Sequence, residues 1–280
     1  MKISRCIRRT GVTLCFALGS IVTAAATAQA AQPSAQTDAW QFNATIYGWV
    51  PTIDAKVNFP GDRGSTDIHA SKHDVLSGLK MTFQGALDIH KGRWGVFNDL
   101  VYVNLGGVKS QTNDFVVGNA QIPSTASANV TLDLKALVWT VAGEYRLAAG
   151  SGWTVDLLGG ARMLQMKPTV GYSITGNLGP VAIQGREGSK QVDKTVWDGI
   201  IGAKGRYAFG DDNRWFLPFY VDVGTGQSQL TWQVSGGVGY AYNWGSVFAT
   251  WRYLDYHSQS GKTLDNITMS GPMLAVSWQF

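Results

Sequence analysis

Side chains that could do chemistry fall into three groups along the 280 residues. The run Asp255-Tyr256-His257-Ser258 supplies a carboxylate, an imidazole and a hydroxyl, the inventory of nucleophilic hydrolysis. Adjacency along the chain is not the convergent geometry that a base and its nucleophile require, so the run is expected to be a polar loop and the chain no enzyme. A lipid hydrolase is the alternative it keeps open. His69 and His73 stand at i, i+4 and would share one helix face toward a metal ion, but loop histidines are ordinarily just solvated. No metal, catalytic residue or cofactor is therefore expected. The largest group is scattered: the acids Asp88, Asp99, Glu144, Asp156, Asp198 and Asp222, the bases Lys80, Arg162, Lys204, Arg206 and Arg252, and His90. Near balance of sign suggests ion pairing, whereas a selective pore more often carries an excess of one sign.

Each of these charges sits on one parity of an extended segment whose other parity is apolar. Trp40, Phe42, Ala44 and Ile46 alternate with Gln41, Asn43, Thr45 and Tyr47. Met81, Phe83, Leu87 and Ile89 oppose Lys80, Asp88 and His90, and Val155, Leu157, Ala161 and Met163 oppose Asp156 and Arg162. The segment from Trp94 is ambiguous, since one parity sends Asn98 outward and the other Asp99. An ionised Asp in hydrocarbon costs about 2.5–3.5 kcal/mol, more than an amide, which puts Asp99 inward. Ten such segments can be counted, with long and short connections alternating. The expectation is an all-β fold: an antiparallel transmembrane β-barrel of ten strands, with eight or twelve as alternatives, short periplasmic turns and long external loops. Ser71 and Asp74 have capping-box spacing, predicting one helical turn in the first long loop. A hairpin pattern at residues 167–186 is expected to extend beyond the wall rather than join it.

Trp40, Trp94, Trp153, Trp215 and Trp244 stand beside the starts of alternate strands, with Trp278 near the end of the last. One such Trp would be ordinary core packing; their regular recurrence predicts an aromatic girdle at one membrane interface. The chain stops on an apolar face carrying Trp278 and Phe280, a terminal pattern that fits an assembly signal for a barrel's closing strand. Residues 1–30 have a basic start, an apolar centre and a small-residue end, as a Sec signal peptide cleaved after about Ala30 would. That predicts a signal at 1–30 and an outer-membrane barrel domain at 31–280. The signal holds four basic and no acidic residues and both cysteines, so the remainder is neutral and thiol-free. A neutral chain gives no reason to expect nucleic acid as partner.

After the signal the chain resembles an uncharacterised family of Gram-negative outer-membrane β-barrel proteins, in the style of small OmpA-type barrels. The stretches that carry the likeness are 42–51 (FNATIYGWVP), 92–105 (GRWGVFNDLVYVNL), 155–162 (VDLLGGAR), 197–207 (WDGIIGAKGRY), 222–233 (DVGTGQSQLTWQ) and 251–256 (WRYLDY). The resemblance implies fold and location in the cell outer membrane, and brings no activity or catalytic residues. The expected partners are outer-membrane lipids, lipopolysaccharide and the barrel-assembly machinery. Functionally, a structural or narrow passive-channel barrel with a salt-bridged lumen is expected, with a porin for a small solute as the alternative. Arg162 and Arg252 are expected to lie near Asp198 and Asp222, forming a gate or packed plug. Deleting Phe280, or replacing Trp278 and Phe280 with Ser, should reduce the heat-modifiable folded form in the outer membrane. An unchanged folded fraction would remove the assembly role of these two residues.

Overall fold

The structure is a computed structural model that describes residues 39–58, 65–110, 116–117, 120–121, 126–178, 181–191, 193–258 and 264–280. The expected signal peptide lies outside the described residues. In chain order the elements are β1 (Trp40–Trp49), β2 (Thr52–Asn58), β3 (Ser65–Ala70), α1 (Lys72–Ser77), β4 (Leu79–Lys91), β5 (Trp94–Ser110), β6 (Val116–Val117), β7 (Ala120–Gln121), β8 (Ala126–Gly150), β9 (Trp153–Leu178), β10 (Val181–Gln191), β11 (Lys194–Phe209), β12 (Trp215–Gly226), β13 (Leu230–Ala241), β14 (Ser246–His257) and β15 (Leu264–Gln279).

Ten of these strands, β1, β4, β5, β8, β9 and β11 to β15, pair antiparallel with their neighbours, and β1 pairs with β15 to close a barrel. Closure runs from Asn43 opposite Gln279 to Trp49 opposite Met273, and Phe42 and Phe280 exchange both backbone hydrogen bonds. Their rings stack at 5.8 Å between centroids. The terminal aromatic therefore belongs to the seam that leaves the wall without a free edge.

Strand count and alternation follow the sequence pattern. Asp99 is buried, whereas Asn98 lies on the other face, where its side-chain oxygen accepts a hydrogen bond from Trp139 Nε1 at 3.3 Å. The tight connection at Lys91-Gly92-Arg93 uses a positive φ of 60° at Gly92, a conformation glycine adopts without steric cost. The hairpin expected at residues 167–186 is present: β10 pairs only with β9 and adds no wall strand.

The connection between β1 and β4 is more structured than expected. β2 and β3 form a hairpin, and β2 pairs with the upper part of β15 from Ser270 to Leu264. α1 follows with the predicted capping box, Ser71 and Asp74 bonding reciprocally. The Ser71 hydroxyl and backbone N–H hold the Asp74 carboxyl below its usual pKa. Val75, Ile53 and Ala70 from this excursion join the buried apolar cluster in the long-loop half of the lumen.

The outer surface inverts the usual soluble arrangement. Ile46, Phe83, Leu157, Ile201, Leu217, Val234 and Leu274 are all exposed. Near the short turns stand Trp40, Trp94, Trp153, Trp215, Trp244 and Trp278, all exposed. Toward the other end a second set pairs off: Trp139 meets Trp197 edge to face at 6.0 Å, and Trp232 stacks on Tyr253 at 4.7 Å. From Trp232 to Tyr240 and from Trp197 to Tyr207 the tilted strands climb about 20–25 Å, close to the height of a membrane's apolar band. Among the described residues no Asp, Glu, Lys, Arg or His occupies an outward position between the two aromatic levels. If hydrocarbon surrounds this belt, Leu157→Arg should cost about 2–4 kcal/mol of stability in lipid vesicles, whereas Ser151→Arg in a short turn should cost little. Denaturant titration followed by tryptophan fluorescence measures the difference, and equal stabilities would place the belt in water.

Candidate functional site: the lumen

Inward positions project into a confined interior, where an unpaired charge loses much of its solvation. The charges accordingly occur in bonded sets at successive heights. Lowest is a cluster of Asp88 and His90 from β4, Glu144 from β8 and Lys204 from β11. The Lys204 ammonium contacts Asp88 and lies 2.8 Å from Glu144 Oε1, while His90 Nε2 lies 2.7 Å from Glu144 Oε2 and 2.9 Å from Asp88 Oδ1. Room for the imidazole comes from Gly95 on β5, where a Cβ would approach the His90 Cε1 to 2.6 Å. Beside this cluster Arg146 makes a two-pronged pair with Asp156, at 2.8 and 3.1 Å.

Higher up, Arg252 bridges strands that are far apart in the wall. It donates to Asp99 Oδ2 at 2.7 Å, to the Tyr47 hydroxyl at 3.0 Å and to Gln233 Oε1 at 2.9 Å, and Tyr47 in turn donates to Asp99. Arg162, with no exposed side-chain surface, pairs with Asp222 through Nη1 at 2.9 Å and through Nη2, and donates to Thr140 Oγ1 at 3.1 Å. Above these two arginine networks the lumen is apolar: Trp49, Val101, Leu105, Leu134, Val138, Leu164, Met166, Leu254, Ile267 and Met269 are buried together. Gln84 satisfies the Trp49 backbone from both sides, its Oε1 accepting from the amide at 2.6 Å and its Nε2 donating to the carbonyl at 3.2 Å.

Of the twelve charged positions singled out in the sequence, this arrangement brings together Asp88, His90, Glu144 and Lys204, then Asp99 with Arg252, and Arg162 with Asp222. Three expectations are corrected. Lys80 is not in the lumen network: it is exposed at the long-loop rim beside Asp133, 3.2 Å away, because a register shift between Leu79 and Met81 ends the regular inward alternation there. Asp198 stands opposite Arg162 in the β9–β11 register, as its height predicted, but does not pair with it. Its carboxylate accepts from the Ser228 backbone N–H at 2.8 Å and hydroxyl at 2.7 Å, so the β12–β13 loop captures it first. Arg252 instead finds Asp99 across the barrel. Arg206 lies over the Phe216 ring, 4.3 Å from its centroid.

Asp88, His90 and Glu144 offer metal-ligand atoms within 4.8 Å of one another, yet the Lys204 ammonium already contacts both carboxylates. The other candidate sites do not assemble. His69 falls in β3 and His73 in α1, so no single helix carries the pair, and His69 Nδ1 sits 2.5 Å from Asp54. His257 Nδ1 contacts Asp255 at 2.5 Å, and among the described residues Ser258 makes no hydrogen bond to His257. Tyr47, Gln233, Thr140 and Arg146 were not anticipated as network members. Tyr47, Gln233 and Thr140 carry no charge to count, although the first two fall on inward parities, whereas Arg146 shares the parity of Glu144 and offered both signals.

No family model matches the chain, and no curated protein gives a significant match. Among solved structures, the outer membrane protease OmpT from Escherichia coli is similar at 11% identity and a TM-score of 0.46, over 87% of this chain and 97% of that one. A Pseudomonas aeruginosa FadL homologue is similar at 10% identity and a TM-score of 0.38, over 87% and 90%. The attachment invasion locus protein Ail of Yersinia pestis is similar at 13% identity and a TM-score of 0.30, over 87% and 99%.

Removing one member of the most buried pair should expose the dependence on pairing. Arg162→Ala leaves Asp222 uncompensated and should lower folding stability by about 3–5 kcal/mol. Adding Asp222→Ala should restore part of the loss, a non-additivity that urea titration of the refolded barrel detects. Strictly additive losses would show that the two side chains do not act as a pair.

Proposed function

We propose that this protein is an outer-membrane barrel whose short turns face the periplasm and whose lumen is sealed, a structural barrel rather than an open porin. The observation that carries the proposal is the filling of the lumen: two arginine networks at mid-height, and above them an apolar layer to which α1 and the β2–β3 hairpin contribute Val75, Ile53 and Ala70. An ion crossing from one end to the other would have to part both. The membrane placement is supported by the exposed apolar belt between two aromatic levels, by the seam at Phe280 and by the resemblance to small OmpA-style barrels. Outer-membrane lipid and lipopolysaccharide would then cover the belt, and the barrel-assembly machinery would insert the chain by its last strand.

Planar-bilayer recording on purified protein lacking residues 1–30 tests the seal. The parent should show no stable conductance steps. The Arg162→Ala/Arg252→Ala variant, which leaves Asp222 and Asp99 unpaired, should leak with a preference for cations. Reproducible single-channel steps from the parent would establish an open channel and overturn the sealed reading.

A further inference from the structure

The seal accounts for the upper lumen and leaves the lower half without a role. There a chamber of about 540 Å³ lies between the arginine networks and the short-turn rim, a size typical of small-molecule sites. Its wall is aromatic as well as charged: Phe97 packs at 5.9 Å from Tyr220, and Phe216 meets Phe248 edge to face at 6.1 Å. The charges divide unevenly. Each carboxylate lining the chamber, Asp88, Asp99 and Asp156, already holds a cation, and Lys204, Arg252 and Arg146 are each held in return. Among the described lysines and arginines lining the chamber, Arg206 alone has no carboxylate within 4.0 Å. Its guanidinium is half-buried over the Phe216 face, where solvent compensates it only in part.

We propose that this chamber binds a small organic anion, a carboxylate borne on an apolar ring, with Arg206 as the charge partner and the Phe216–Phe248 wall receiving the ring. A cation would meet carboxylates that already hold cations and would lie beside the unpaired Arg206 guanidinium. A planar guanidinium suits a carboxylate, whose two oxygens match its fork of N–H donors. The aromatic wall adds apolar contact that a bare inorganic ion cannot use. Access is from the short-turn end, where Asn43, Gln279 and Asn213 form a polar mouth; the upper end is closed by the plug. The direction of access rests on the sealed reading, whereas binding itself does not, so a conducting parent would overturn the seal and leave the binding test decisive.

Calorimetric titration of the folded protein in detergent with benzoate, benzamide, benzylamine, acetate and inorganic phosphate tests the proposal. Benzoate should bind saturably at one per barrel, with benzamide, acetate and phosphate at least tenfold weaker and benzylamine without measurable binding. Arg206→Gln should weaken benzoate at least tenfold, and Arg206→Lys less than that. Heat-modifiable migration reports whether each variant folds, and if Arg206→Gln does not, the ligand series on the parent decides alone. No saturable benzoate binding, equal binding of benzoate and benzamide, or undiminished binding to folded Arg206→Gln would overturn it. Phosphate binding as tight as benzoate would show a bare-anion site and overturn the assignment of an organic ligand.

Discussion

Closing the wall between β1 and β15 dictates most of what else this molecule can be. A closed ten-stranded wall has no edge to hydrogen-bond and sends every second side chain into a shared interior. A charge in the packed part of that interior must meet its counter-charge across a few ångströms, because little water reaches it there. The Arg252–Asp99–Tyr47–Gln233 and Arg162–Asp222–Thr140 networks are that requirement met, with Asp99, Tyr47 and Asp222 reached from non-adjacent strands. They tie together parts of the wall that backbone pairing alone leaves apart. Such networks are weak evidence for net stability against an apolar core; what they specify is which inward residues face one another.

The outer face answers the same geometry with the opposite chemistry. Apolar side chains there stay exposed, aromatic residues gather at two heights, and Asn98, an amide in between, is bonded by a neighbouring indole. Inside, the composition changes with height: a charged and aromatic chamber near the short turns, the arginine networks, then a mainly apolar layer beneath the long connections. On the sealed-lumen proposal, that gradient separates a closed end from an accessible one within a single barrel.

The wall was legible in the sequence because a period of two is a local property, and a strand that alternates Leu157 and Val155 against Asp156 announces both faces at once. Turn positions were equally local, as at Gly92. The partners inside the lumen were less so. Arg162 with Asp222 could be guessed from similar height on strands separated only by β11, but Arg252 with Asp99 spans the barrel, and Asp198 is taken by a loop backbone N–H that no charge count reveals. Lys80 was misplaced by an irregularity of one residue at the top of β4, which alternation cannot foresee. The β2–β3 hairpin was hidden because its strands are short and lie outside the wall, with weak alternation of their own.

The central claim is that the lumen is dry and packed above the arginine networks and water-filled below them. Because the chain beyond residue 30 has no cysteine, single thiols can report on each half. Ser235→Cys faces the chamber and Val138→Cys sits in the apolar layer, where the parent side chain is 2% exposed. With both variants folded in detergent, a small charged thiol reagent should modify Ser235→Cys at the rate of an accessible thiol. Val138→Cys should react only after denaturation. Equal labelling of the two in the folded state would mean that water runs the length of the barrel, and the sealed-lumen account would be wrong.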